Sequence, residues 1–446
     1  MTNDLMGVIL KKRIKDHTAK VAVVGLGYVG TPVAALWAEA GFQVSGYDIQ
    51  QPKVDLINKG ISPIEGKEPG LAELVNKVVE KGNLKAYSRF ETLGEADVVL
   101  VMVETPVDDK TKLPRYRALT AALKSIGEHL KSGTLIIIES TIAPKTMDTV
   151  VKPLLEKTSG LKLHKDFFLV HCPERLMPGR LLEIIRTYDR VVGASSKEAG
   201  EVAVAFYSQV VKGQLDTTDL LSAEVVKTSE NTLRAIEIAA ANEFAIICED
   251  LGADVWEVRK LINKRPDRNM LKPGAGVGGH CLPKDFSLLT ANVHNRSLTK
   301  VIAAAQEVND RMPIHTAQLL VDGLRSAGAK DVNGYKIAVL GYSYLENSDD
   351  TRNSPSAVLV DVLESWGFEV VIHDPYVNEY KGDVYQTVKG ADAVVIMVAH
   401  DEYFDLDWSA IAFILNEKVI VDGRNVLGKE NAKKLGVTYR AIGVGV

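Results

Sequence analysis

"AKVAVVGLGYVGTPVAALWAEAGFQVSGYD", residues 19–48, decides the fold. Residues 20–24 form a short apolar run, the pattern of a strand buried on both faces of a parallel sheet. Gly25, Gly27 and Gly30 follow, then a helix of apolar periodicity to about Ala40. A second strand, "QVSGYD", ends on Asp48. A GxGxxG pattern alone is weak, because any glycine-rich turn can produce it. Between a strand and a helix each glycine acquires a task. The first permits the tight turn, the second lets phosphates approach the backbone, and the third lets helix pack close to strand. The helix N-terminus then faces the pyrophosphate. Asp48 would accept from the ribose hydroxyls and repel a 2′-phosphate, so the expected cofactor is NAD rather than NADP.

Working outward, further strands are expected at 97–103 ("DVVLVMV"), 134–139 ("TLIIIE") and 167–171 ("FFLVH"), with helices between them. That alternation predicts a doubly wound parallel sheet. From about 218 the pattern is helical for thirty-odd residues without proline, ending on Gly252, with more helix at 254–263 and 298–327. The opening pattern then returns. "GYKIAVLGYSY" echoes "AKVAVVGLGYV", and "KGADAVVIMV" at 389–398 echoes "GEADVVLVMV" at 94–103. The turn "GYSYLE" lacks the second and third glycines, so this half is expected to bind something else. The expected fold is α/β, two Rossmann-like doubly wound domains joined by a central helical region with one long helix. The boundaries are 1–217, 218–328 and 329–446.

At 446 residues, two or three domains are the prior. The chain is 46% hydrophobic and 25% charged, with interspersed charges and a formal net charge of −5. This gives no footprint for nucleic acid or an anionic membrane, and no apolar run has the length of a membrane span. Cys172, Cys248 and Cys281 are odd in number and far apart, so no disulfide framework or metal site is expected. The N-terminus carries its basic residues after a short apolar patch, the reverse of a secretory signal. A cytoplasmic protein is expected.

"PGAGVGGHCLPKD", residues 273–285, sets Cys281 directly after glycines and a histidine. Such a thiol is either packing or a nucleophile within reach of substrate. With "GLGYVG", "VETP", "ESTIAP", "HCPERLMPG", "AEVVKTSENTLRAIEIAAANE", "GVGGHCLPKD", "DDTRNSP" and "VDGRNV" in order, the sequence resembles the UDP-sugar 6-dehydrogenases from about residue 20 to 426. The resemblance implies oxidation of the C6 alcohol of a UDP-sugar to a carboxylate, with two NAD⁺ reduced. Cys281 then matches the family nucleophile, holding the half-oxidised sugar as a thiohemiacetal and then a thioester. The domains become an NAD-binding domain, a central dimerisation and catalytic region, and a C-terminal UDP-sugar-binding domain.

The same resemblance carries over other positions. Lys227 and Asn231, four apart on one helical face, match a pair that stabilises oxyanions at C6; on spacing alone they equally fit a solvated polar face. Asp285 matches the aspartate that orders water and handles protons, and Glu174 a glutamate in proton transfer around thioester hydrolysis. Thr105 and Thr141 match threonines beside the nicotinamide and the catalytic water. Tyr28, Val29, Lys53, Lys284 and Arg352 fall at cofactor-binding positions. Arg175, Gly274, Gly278, His280 and Arg424 fall at substrate-binding positions, the glycines letting sugar lie against backbone. Arg265 matches an arginine that reaches the sugar or diphosphate, with Arg268 as the alternative. His280 either shapes the pocket or, if protonated, lowers the thiol pKa. Cys172 and Cys248 read as structural. The apolar stripe of the central helix is the candidate core of a homodimer.

"HCPERLMPGR" and "GVGGHC" lean toward the UDP-N-acetyl-D-mannosamine branch, with Pro178 where the UDP-glucose enzymes carry a glutamate. "CLPKD" leans the other way, so UDP-glucose and UDP-N-acetylglucosamine or galactosamine stay open. "GYSYLENSDDTRNSP" has Leu345 where the family has a lysine that meets the diphosphate, leaving Arg352 and Arg424 to supply positive charge. The rivals are a two-electron hydroxyacid-type dehydrogenase, which needs no cysteine, and a non-enzymatic nucleotide-sugar or NAD sensor.

Overall fold

Eight strands form the first sheet: β1 (Lys20–Val24), β2 (Gln43–Tyr47), β3 (Leu84–Tyr87), β4 (Val98–Val101), β5 (Leu135–Ile138), β6 (Phe168–His171), β7 (Arg190–Ala194) and β8 (Leu215–Asp219). The structure is a computed structural model and describes residues 3–64, 68–108, 110–177 and 179–445. Pro178, read above as a marker of the sugar, lies outside the described residues.

The strand order is β3-β2-β1-β4-β5-β6-β7-β8, and only the β6–β7 pair is antiparallel. Strand order reverses between β1 and β4, the crevice where open α/β sheets take dinucleotides. Alternation explains the core. Val21 and Val23 pack on one face while Ala22 and Val24 pack on the other. The helix Gly30–Glu39 is buried over nearly its whole length, with Val33, Leu36 and Trp37 seated against the first of these faces.

The second sheet holds β9 (Lys336–Leu340), β10 (Glu369–His373), β11 (Ala393–Ile396), β12 (Val419–Asp422) and β13 (Thr438–Ala441), all parallel in the order β10-β9-β11-β12-β13. The echo read in the sequence is real at β9 and β11. Among the described residues no strand of the second sheet corresponds to β3, so its order is the shorter doubly wound one.

One continuous helix covers Leu220–Leu251, followed by Val255–Ile262, Leu282–Thr290 and Lys300–Ser326. Packing divides the chain into two compact units, Met1–Ser229 with Ser287–His294, and Glu230–Phe286 with Asn295–Val446. The long helix contributes to both, and in the second unit Ala245 and Cys248 join the core with Val339 and Val421. No described helix is long and apolar enough to cross a membrane.

Candidate active site

In the first unit the glycine turn fits NAD. Gly25 has φ 95°, and its N–H donates to the Tyr47 carbonyl at 2.8 Å. A Cβ at Gly30 would lie 1.8 Å from the Gly25 carbonyl oxygen, so only glycine lets this helix start so close to β1. A Cβ at Gly27 would meet nothing within 4 Å, which leaves an open cradle beside the turn. Val29 is the N-cap of the helix Gly30–Glu39 and no side chain caps it. Thr31 N donates to the Gly27 carbonyl at 3.1 Å and Pro32 has no N–H, so what this helix start offers an anion is its dipole and the open backbone of the turn at Gly27. The half-buried Asp48 accepts from Leu26 N and from Gln50 N, both at 2.9 Å, which fixes the carboxylate at the end of β2. Tyr28 donates its hydroxyl to Glu68, and Lys53 lies half-buried on the helix Gln51–Asn58.

Thr105, following β4, is buried and donates to the Thr141 carbonyl at 2.6 Å. The turn after Thr141 is held by Glu224, whose oxygens accept from Lys145 N and Met147 N, each at 2.8 Å. Burial pushes the Glu224 carboxyl up to about 7 against the pull of those N–H groups. Lys227, three residues further along the same helix, is 7% exposed. Glu174 is bound by Arg190, and Arg175 donates to the Asp189 carbonyl at 3.2 Å. The Cys172 thiol is fully buried, and burial pushes it up to about 12. It is inert packing.

In the second unit Cys281 is exposed and stands at the start of the helix Leu282–Thr290, its carbonyl accepting from Lys284 N and Asp285 N at 3.1 and 3.0 Å. Asp285 is fully buried. Asn231 Nδ2 donates to one of its oxygens at 2.5 Å, and the Lys284 ammonium lies 3.3 Å from the other. His280 is exposed on the glycine loop. Partial burial and the charges of Lys284 and Arg352 push its imidazole down to about 4, so it is neutral near pH 7. This speaks against the imidazolium reading.

Three signatures far apart in the chain meet around the glycine loop. Gly279 N donates to the Arg352 carbonyl at 2.9 Å, and Asn353 Nδ2 returns a bond to the Gly279 carbonyl at 3.0 Å. Arg424 donates to the Met397 and Gly276 carbonyls at 2.9 and 3.2 Å. A Cβ at Gly274 would lie 2.3 Å from the Arg424 guanidinium, and one at Gly278 would lie 2.5 Å from Tyr344 Cβ. At both glycines the space a side chain would need is taken by protein. Arg352 pairs with Asp350, and Leu345 is half-buried with its carbonyl accepting from Ser343 Oγ at 2.9 Å. Arg265 and Arg268 both pair with Asp267 on the surface, at 2.7 and 2.8 Å.

Several residues that organise the site escaped the sequence reading. Asn242 Oδ1 accepts from Gly274 N at 2.9 Å while its amide donates to Asn309 at 3.0 Å, tying the glycine loop to two helices. Its signal was an amide inside an apolar helical run. Glu139, Arg190 and Tyr207 form a buried set with Glu174. The signal for Glu139 was a charge ending an apolar strand. No cluster of three or more His, Cys, Asp or Glu suited to a metal occurs among the described residues.

Models of the UDP-glucose/GDP-mannose dehydrogenase family match 19–211 as the NAD binding domain, 221–311 as the central domain and 338–429 as the UDP binding domain. A UDP-N-acetyl-D-mannosamine dehydrogenase of Pyrococcus horikoshii is 38% identical over 426 residues, covering 96% of this chain and 99% of the relative. A solved UDP-D-ManNAc dehydrogenase from that organism superposes with a TM-score of 0.90 over 95% of this chain and 99% of the other. An NDP-N-acetyl-D-galactosaminuronic acid dehydrogenase from Methanosarcina mazei gives 0.86 at 36% identity, over 99% of this chain and 98% of the other. A UDP-glucose dehydrogenase from Pyrobaculum islandicum gives 0.82 at 27% identity, over 95% and 98%.

Proposed function

The chain belongs to the UDP-glucose/GDP-mannose dehydrogenase family, as an NAD-dependent UDP-sugar dehydrogenase, and we propose that its substrate is UDP-N-acetyl-D-mannosamine. The reading of the sugar rests on the identity to relatives of that name and on "HCPERLMPGR" and "GVGGHC". In this reading 218–328 supplies the chemistry and the two sheet-containing parts supply the ligand sites.

The observation that carries the mechanism is Cys281 at a helix start, with Asp285 buried one turn on and held by Asn231. NAD⁺ supplies the hydride acceptor for both oxidations, at the C6 alcohol and again at the thiohemiacetal. A negative sulfur at the first turn of a helix is favoured by the helix dipole. Cys281 adds through sulfur to the C6 aldehyde, which prevents release of the half-oxidised sugar. After the second oxidation the sulfur carries the acyl group as a thioester. Water adds to the carbonyl carbon, its proton passes to Asp285 or Glu174, and the C–S bond breaks to return the thiolate. Lys227 and the Asn231 amide offset the charge on the C6 oxygen in each step. Arg175, Arg424 and one of Arg265 and Arg268 hold the nucleotide sugar, with Arg352 and Lys284 serving the cofactor.

The protein acts as a cytoplasmic homodimer in this reading. Leu233, Phe244, Ile247 and Leu251 are 58%, 46%, 46% and 75% exposed, and they share one arc of the long helix away from Lys227 and Asn231. A second copy covering that arc removes this apolar surface from water.

The test is NADH released per sugar consumed, with UDP-N-acetylmannosamine, UDP-N-acetylglucosamine and UDP-glucose in parallel. About two NADH per sugar on the first substrate is the expected result. About one would reject the thioester route. With Cys281→Ser, carboxylate formation should collapse while NAD binding persists; unchanged turnover would refute the scheme.

A further inference from the structure

Glu139 follows β5 and Glu174 follows β6, so both carboxyls stand at the carboxyl edge of the first sheet, the edge that also carries the glycine turn and Thr105. Arg190 enters from the start of β7, and Tyr207 from the end of the helix Lys197–Tyr207. Glu139 is 3% exposed, Arg190 5% and Tyr207 fully buried. The guanidinium donates through Nη1 to Glu174 and through Nη2 to the Ile185 carbonyl, and stacks over the Tyr207 ring at 5.1 Å. Tyr207 donates its hydroxyl to Glu139 Oε1 at 2.5 Å. Glu139 Oε2 is buried and receives no donor.

The set thus holds two carboxyls and one guanidinium with almost no water. Were both carboxyls ionised, one negative charge would stand uncompensated and Oε2 would be a bare buried acceptor. Both conditions are costly. A proton on Oε2 removes both, because it turns that oxygen into a donor, and the Glu174 carboxyl is within hydrogen-bonding reach of Glu139. The other titratable group facing the pair is the Cys172 thiol, which is neutral. His171 belongs to the opposite side of the sheet by strand alternation, and its Nδ1 is engaged with the Ile138 carbonyl at 2.9 Å. Burial, followed by the Glu174 charge, pushes the Glu139 carboxyl well above the usual range. Glu174 and Arg190 line a small crevice with Pro173, Arg175 and Asp189, and Glu139 is not among its walls.

We propose that Glu139 is a positioning residue for Glu174: it keeps its proton at neutral pH and donates it in a hydrogen bond to the Glu174 carboxylate. The proton never leaves Glu139. It holds Glu174 ionised and aimed at the crevice, ready to accept a proton from the water that attacks the thioester. The inference rests on the role proposed for Glu174 above.

The experiment compares kcat against pH in the full-length wild type, Glu139→Gln, Glu139→Leu and Glu174→Gln, with infrared difference spectra at pH 7. A donor to the charged form lowers an acid's pKa, and its loss raises it. Gln at 139 keeps the donor, so the acidic limb of kcat should stay in place. Leu removes it, so that limb should move up by about one pH unit. The wild-type minus Glu139→Gln difference should show the carbonyl stretch of a protonated carboxylic acid, any band from the Glu224 carboxyl being common to both and cancelling. That spectrum decides the matter even if the Leu variant fails to fold. No such band, or a limb moved down in both variants, would mean that Glu139 is ionised and would overturn the proposal. Glu139 variants with unmoved limbs beside a slow Glu174→Gln would defeat it alone. A fully active Glu174→Gln would remove the reading of Glu174 on which it stands.

Discussion

Gly25 and Gly341 hold the same place after the first strand of their sheets, with φ 95° and 96°, and each donates its N–H at 2.8 Å to the carbonyl ending the second strand. An aspartate follows that strand in both cases. From there the two turns diverge. Asp48 takes one N–H on each oxygen, from Leu26 and Gln50, and is half-buried. Asp374 is fully buried and takes Tyr342 N, Ser343 N and His400 on one oxygen, Tyr376 N and Val377 N on the other. The helix after the first turn starts at Gly30 with no side-chain cap, whereas the next helix of the second unit waits until Pro355 and is capped by the Ser354 hydroxyl. A turn with an open cradle, as at Gly27, can hold a diphosphate. One whose donors are already matched is a structural clasp, and its unit must take its ligand elsewhere.

The hardest blow to this contrast comes from a methyl group. Gly30→Ala should cost at least about 4 kcal/mol in chemical denaturation, because a backbone oxygen blocks the Cβ. Glu346→Ala, at the matching position of the second turn and exposed, should change stability by less than about 0.5 kcal/mol. Equal effects would erase the distinction. Asp374→Asn should destabilise by about 2–3 kcal/mol, since the side chain serves five partners, and leave the Kd for NAD unchanged by calorimetry. Asp48→Asn should do the opposite, keeping stability within about 1 kcal/mol while NAD affinity drops about tenfold and NADP becomes a better competitor. Gly27→Ala meets open space, so its denaturation midpoint should match wild type while NAD binding weakens by a similar factor.

The smallest effect is a pH one. Burial alone would raise the Asp374 carboxyl, but His400 and the Ser343 and Tyr342 N–H groups outweigh it and hold it well below the usual range. Its contribution is present above the unfolded value of about 3.9 and lost as pH falls below that. Acidifying from pH 5 to 3 should therefore weaken wild type by about 1 kcal/mol more than Asp374→Asn.

Strands and long helices were legible because their signals are local: β1, β4, β5 and β6 lie within the runs expected, and the long helix ends one residue before the glycine that predicted its stop. The glycine turn was legible too, in the positive φ of Gly25 and the close helix start at Gly30. What escaped depends on contacts across the chain. Nothing local at Gly274 announces that Arg424, 150 positions away, fills the space of its missing side chain. Nothing at Asn242 announces Gly274. The lowered basicity of His280 follows from partial burial together with the charges of Lys284 and Arg352, which spacing could not foretell. Glu139 stood within a quoted signature, yet its partners arrive from three other elements.

The unbroken helix Leu220–Leu251 also imposes a rule of phase. Each residue turns the chain by 100°, so Asn231 and the apolar arc at Phe244 and Leu251 are set at a fixed angle, like two cams on one shaft. Adding a single residue between them would swing one about a quarter-turn against the other, and adding seven would bring them back nearly into line. Over evolution this stretch can exchange many of its side chains, but it can change its length only in whole-turn steps.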